Sequence, residues 1–302
     1  MKFWKKTVWM LIAAVTVAGI LLCGVGLALG ASRVFYMDRS GVQISRGEYS
    51  QISEELDVAD FDRVIIYADL ANVEVSDADS ASLLLSTYDA FMPSYEITNR
   101  TLKITQPTQQ SWLNMNFSFL AKRSNIKLFL PAEVQLKELE VRSNMGSVKV
   151  EGITSEIMTI EADLGDVEAR RLTCSGKLSL RLNCGNLTLS NTCTGTLYMS
   201  NDLGSLAASG ITSGGTEVRN NAGNIDLDGS FSGETTISCD LGSVSLTVAG
   251  PLSLCYDLRT DLGNITVDGK GCGTRYINSA AQPDGQVYIT NDLGSIRVRT
   301  GS

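Results

Sequence analysis

A short pattern recurs eight times along this chain: Asn or Asp, an apolar residue, Gly, a small polar residue, then a strand-like alternating run. It starts at Asn144, Asp163, Asn183, Asp202, Asn221, Asp240, Asp261 and Asp292. The glycines are Gly146, Gly165, Gly185, Gly204, Gly223, Gly242, Gly263 and Gly294, at steps of 19, 20, 19, 19, 19, 21 and 31. The last step holds an insertion around Gln282-Pro283-Asp284-Gly285. A degenerate earlier copy, Asp69-Leu70-Ala71, has Ala in place of Gly. One copy of ~19–20 residues cannot bury its own hydrophobic face, whereas a stack of copies can.

Each copy reads as strand, tight turn, strand. After the Gly, apolar residues alternate, as in Val148 and Val150, Leu187 and Leu189, Ile225 and Leu227. Before it the same holds for Leu139 and Val141, Met158 and Ile160, Leu178 and Leu180. A period of two sends these side chains to one face and the residues between them to the other. Gly supplies the positive φ of the turn, and the Asx two positions earlier can bond the turn backbone. The apolar residue between them (Leu164, Leu203, Leu241, Leu262, Leu293) is expected to cap the core at the bend. The expected fold is all-β: a β-solenoid, parallel β-helix-like, preceded by one transmembrane helix. Stacked antiparallel hairpins are the alternative. Four positions before each Gly, Arg142, Arg181, Arg219 and Arg259 occupy every second copy. With one copy per turn this keeps like charges from stacking; with two, the arginines would stack. One copy per turn is the favoured reading.

The N-terminal part is organised differently. Residues 1–6 form a basic tip with Lys2, Lys5 and Lys6, and residues 7–31 are an uncharged, mainly apolar run. At ~1.5 Å per residue, such a run exceeds the ~30 Å hydrocarbon core. Lysines before it predict a cytoplasmic N-terminus and an extracytoplasmic C-terminal domain at the cell membrane. A cleaved signal peptide ending near Ala28-Leu29-Gly30 is the rival reading. Residues 32–60 are expected as a juxtamembrane spacer, followed by the solenoid at 61–302, irregular over 61–138 and regular over 139–302. Residues 108–123 interrupt the pattern and carry Trp112, Phe117 and Phe119. These rings either cover the open end of the core or form an exposed contact patch.

Several activities are excluded or disfavoured. Net charge is −8 and the first 32 residues hold only positive charge, so the remainder is strongly acidic; such a surface repels nucleic acid. There is no histidine, which removes Ser-His-Asp and Cys-His catalysis and the commonest metal ligand. An enzyme would have to use carboxylates such as Asp226, Asp228 and Asp268, whose plain reading is a solvated outer face. The Asx column could hold calcium only if carboxylates stacked, and half of it is Asn. No cofactor or metal is expected. Of seven cysteines, Cys174 and Cys193 are 19 apart in equivalent second turns, within reach of a disulfide if those turns stack.

The serial Asx-x-Gly copies, together with the Ile126–Pro131 segment of alternating apolar residues, resemble a known bacterial group. This is the β-strand-repeat family labelled "putative adhesin", a domain of unknown function that includes LiaG-like envelope proteins. The resemblance covers about residues 60–300 and implies a surface-facing solenoid, with no catalytic residues to carry over. The expected function is a membrane-tethered, non-catalytic surface interaction module with a protein or surface-polymer partner. The alternatives are an envelope-stress or signalling accessory that contacts a membrane partner and, last, a polysaccharide-acting β-helix enzyme.

Overall fold

The computed structural model describes residues 15, 16, 19, 22, 25, 34–38, 41–45, 49–88, 91–106, 123–250 and 252–301. It is all-β, and the repeats build a solenoid. Each copy contributes one strand before its glycine and one after, and each strand pairs in parallel with its counterpart in the next copy. Val141 lies opposite Ile160, and Ile160 opposite Leu180. After the glycine, Val148 lies opposite Val167, and Val167 opposite Leu187. One copy therefore makes one turn, here called a rung and named by its glycine. The alternating apolar residues fill the space between the two strand columns: Leu139, Val141, Met158, Ile160, Leu187 and Leu189 are all fully buried. Like rows stack on like rows because the copies have nearly equal length, and the register shifts only locally, at Ser155–Ile157, Cys174–Lys177 and Ala208–Ile211.

The charges follow from the same register. Glu161 lies between Arg142 and Arg181 and is 3.5 and 3.2 Å from them. Serine takes the next alternate place, at Ser200. These pairs are half-exposed and contribute little stability each; their larger effect is to penalise a shifted register.

The order of rungs in space departs from the order in sequence at both ends. The Gly294 rung, Gly285–Leu293 with Ile296–Thr300, does not sit last. Its first strand pairs with Gly233–Leu241 on one side and Leu254–Leu262 on the other. Its second strand lies between Val244–Val248 and Ile265–Val267. The Gly263 rung is thus outermost, and antiparallel strands Arg275–Asn278 and Lys270–Gly271 cover its two edges. At the other end, the Ala71 rung (Arg63–Ala68, Ala71–Ala78) pairs with the Gly146 rung on its inner side. On its outer side it carries Thr101–Thr105 and Ser124–Pro131. Antiparallel Ser94–Thr98 and Ser82–Tyr88 then close that rung. Both ends convert a parallel edge, which would template further pairing, into a hairpin.

The chain divides into two compact units, 1–49 with 88–90 and 108–122, and 50–87 with 91–107 and 123–302. In the first, Val34–Asp38 and Gly41–Ser45 form an antiparallel pair. The second holds the solenoid and begins earlier than the expected Phe61. Strand Tyr49–Glu55, placed by sequence in the spacer, pairs with Ser82–Tyr88. Of the expected membrane segment, only Val15, Thr16, Gly19, Leu22 and Val25 are described, each helical. Among the described residues no helix is long and apolar enough to cross a membrane. The rest of 7–31 lies outside the described residues.

Candidate interaction surface

The edge that carries the glycines is the most regular surface of the solenoid. Seven of the eight glycines have φ between +131° and +156°, outside the left-handed helical region that other residues can tolerate. Sterics add a second demand. A Cβ on Gly204 would overlap the carbonyl oxygen of Gly185, and one on Gly223 would overlap that of Gly204. The same contact runs from Gly294 to Gly242 and from Gly263 to Gly294, which traces the inverted rung order independently of strand pairing. Ala71 is permitted because its outer neighbour, Ser124, belongs to an extended strand and not to a glycine turn. There Gln106 Oε1 takes the place of a turn, accepting from the Asp69 and Leu70 amides at 3.0 and 2.9 Å.

The opposite edge shows what the glycines are not needed for. Its turn residues Gly152, Arg171, Asn191 and Gly210 have φ of +49° to +69°. That is ordinary left-handed space, so Arg and Asn serve there as well as Gly.

Three side-chain rows flank the glycine column. Three residues before the glycine, Asn201, Asn220 and Asn291 are buried. Their Nδ2 atoms donate to the carbonyls of Gly185, Gly204 and Gly242, at 2.9, 3.0 and 2.9 Å. Their Oδ1 atoms have no partner. This buried amide row was not anticipated; its only sign was Asn recurring where alternation points inward. Two residues before the glycine, the Asx column forms a ladder across rungs rather than bonding its own turn. Asn144, Asn183 and Asn221 donate from Nδ2 to Asp69, Asp163 and Asp202, at 2.8, 2.7 and 3.0 Å. The alternation of Asn with Asp thus supplies each carboxylate with a donor.

That ladder fails at the inverted end. Cys239 registers with Asn291 and Asn291 with Thr260, so the next residues along, Asp240, Asp292 and Asp261, occupy three consecutive rungs. No amide separates them, and adjacent like charges oppose pairing. Asp292→Asn restores a donor between the two remaining aspartates. It is expected to raise the melting temperature by roughly 1–2 °C at low salt and less in 1 M salt; an equal gain at both salt concentrations would refute charge relief as the cause.

The third row is the residue just before each glycine. The expectation that it caps the core is not met. Leu164, Leu203, Leu241, Leu293 and Leu262 are 48, 57, 51, 50 and 67% exposed, and Met145 is 37% exposed. The buried residue two positions earlier already fills the corner, so the chain turns with the leucine outward. At ~4.8 Å per rung the row from Met145 to Leu262 is ~34 Å long. Cys184 and Ala222 are its smaller members.

The remaining sequence candidates fall elsewhere. Cys174 registers with Thr194, and Cys193 with Thr173. This one-residue offset puts Cys174 inside and Cys193 outside, and both are free thiols, so the expected disulfide is not formed. Burial raises the thiol pKa of Cys174 and, with Asp240 and Asp292 nearby, that of Cys239 to about 11; both are poor nucleophiles at neutral pH. Asp226 and Asp228 are exposed and face Ala207, Ser245 and Thr247 across neighbouring strands, with no basic partner there. Among the described residues no group of His, Cys, Asp and Glu could hold a metal ion. Trp112, Phe117 and Phe119 lie outside the described residues.

A solenoid of these rungs, with an Asx-x-Gly edge and hairpin-covered ends, defines a class of β-repeat proteins. Residues 55–299 match the Toastrack DUF4097 family, and the chain belongs to it. No curated protein matches the chain. Solved structures that share the fold include two from Parabacteroides. A "putative adhesin" from Parabacteroides distasonis has 11% identity and a TM-score of 0.53, covering 85% of this chain and 98% of its own. A "putative adhesin" from Parabacteroides merdae has 12% identity and a TM-score of 0.50, with the same coverage.

Proposed function

We propose that this chain is a non-catalytic interaction module of the cell surface, held at the membrane by residues 7–31, whose glycine edge is the contact face. The observation that carries this reading is the exposed leucine row. A surface row with Leu on five of its eight rungs and Met, Cys or Ala on the others departs from scattered surface hydrophobics and matches the patches that contact partners. The flanking Asp and Asn ladder adds negative charge along one side. The fitting partner therefore presents apolar side chains beside lysine or arginine. The acidic ladder disfavours an anionic lipid face.

The test is a pair of substitutions, Leu203→Asp with Leu241→Asp, in the full chain. Both leucines are about half-exposed, so the melting temperature is expected to stay within a few degrees. Photo-cross-linking from position 222, between the two, is expected to capture a partner in producing cells and to lose it in the double variant. Capture that persists undiminished would sink the ridge as the contact face.

A further inference from the structure

The second edge stays open at the inverted end. In the middle rungs that edge is closed by turns through Gly152, Arg171, Asn191 and Gly210. In the Gly263 rung the chain leaves Val267 for the covering strands Lys270–Gly271 and Arg275–Asn278. A cleft of about 500 Å³ opens there, within the ~300–1,000 Å³ range of small-molecule sites. Leu252, Val267 and the rings of Tyr256 and Tyr276 give it an apolar wall, and Asp268 and Asn278 add polar atoms.

Tyr256 is only 5% exposed, yet its hydroxyl has no hydrogen-bond partner. A buried, unpaired hydroxyl in a folded core costs stability and asks for an explanation. Burial pushes the phenol up to about 12, with Asp268 and Tyr276 adding to the effect. Tyr256 itself lines the cleft, so its hydroxyl is enclosed at the cleft wall and, protonated, remains a donor. Asp268 is fixed in left-handed backbone, φ +47°, and accepts from Thr300 N at 2.8 Å and Thr300 Oγ1 at 2.9 Å. A carboxylate has further lone pairs to offer. Asn278 Oδ1 accepts from the Tyr256 amide at 2.7 Å, which leaves its Nδ2 hydrogens for a ligand.

We propose that this end cleft binds the ring of a neutral sugar. A sugar ring presents a C–H face to the tyrosine rings, hydroxyls that accept from Tyr256 and Asn278, and hydroxyls that donate to Asp268. An anion meets Asp268 with no Lys or Arg in the cleft wall, and a purely apolar molecule leaves Tyr256 unpaired. The inference deepens the reading of the chain as a surface interaction module. It uses a different part of the solenoid from the leucine row, so the two can fail separately.

The test uses the full chain in lipid nanodiscs and saturation-transfer NMR with lactose and N,N′-diacetylchitobiose. Sialyllactose serves as the anionic probe and 1-octanol as the apolar one. Transfer is expected to at least one neutral sugar and not to sialyllactose. Tyr256→Phe is expected to weaken sugar binding about 5-fold and Tyr276→Ala to abolish it, while Leu203→Asp leaves it unchanged. Tyr256→Phe keeps the ring and removes the unpaired hydroxyl, so its melting temperature should be equal or higher. No transfer to either neutral sugar, unchanged affinity in a folded Tyr256→Phe, or binding of octanol alone would each overturn the proposal.

Discussion

Alanine at Gly204 is expected to destabilise the solenoid by about 2–6 kcal/mol. Roughly 1–3 kcal/mol of this comes from forcing a non-glycine residue into the φ of +131°. A further ~1–3 kcal/mol comes from driving a Cβ into the carbonyl of Gly185, a backbone atom that can move only if two rungs separate. The total is a large share of the ~5–15 kcal/mol typical of a whole domain. The reciprocal change, Ala71→Gly, relieves no clash and should cost at most about 1 kcal/mol. Denaturant midpoints followed by circular dichroism would compare the two. Equal, small effects would show that the glycine column is only a turn preference.

Removing residues 285–302 is expected to release far more chain than it deletes. Among the described strands, those of the Gly263 rung pair with Gly285–Leu293 and Ile296–Thr300 and not with the Gly242 rung. The truncation also removes buried Val287, Ile289, Ile296 and Val298, at ~1.5–3 kcal/mol of burial each. Hydrogen exchange should therefore show loss of protection across 252–284, while 139–230 stays protected. Truncation at 250 removes more residues but leaves no unmoored tail, and should yield the better-behaved protein. A sequence-ordered stack makes the opposite prediction, because the Gly263 rung would stay docked on the Gly242 rung. Retained protection at Leu258 and Ile265 in the 284-residue chain would overturn this expectation.

Much of this architecture was legible in the sequence. Alternation at Leu139 and Val141, or Ile225 and Leu227, gave the inward rows, and the spaced arginines pointed to one copy per turn. The inverted ends were not legible, because the Gly263 and Gly294 copies carry the same Asp-Leu-Gly signature and either could dock on the Gly242 rung. The arginine alternation even favoured the wrong order: Ser238, Arg259, Thr290 alternates in sequence, whereas the spatial series runs Ser238, Thr290, Arg259. The one hint was the long insertion before Gly294, the length needed to cross the outer rung and return. The leucine row was misplaced for a different reason. Alternation cannot say where a corner begins, and Asn201 or Asn220, polar in sequence, proved to be the residue that fills it.

The inverted ends also govern how such a protein can change in length. Between Gln135 and Val248 the stack follows chain order without exception, and the two caps lie wholly outside that interval. A copy added at either cap would have to displace the antiparallel strands that cover the outermost rung. Tandem duplication inside the interval meets no such obstacle. Each ~19 residues gained there would lift one cap away from the other by ~4.8 Å and lengthen the leucine row by one position. Reach is then adjustable in fixed increments, with both closures and the end cleft inherited unaltered.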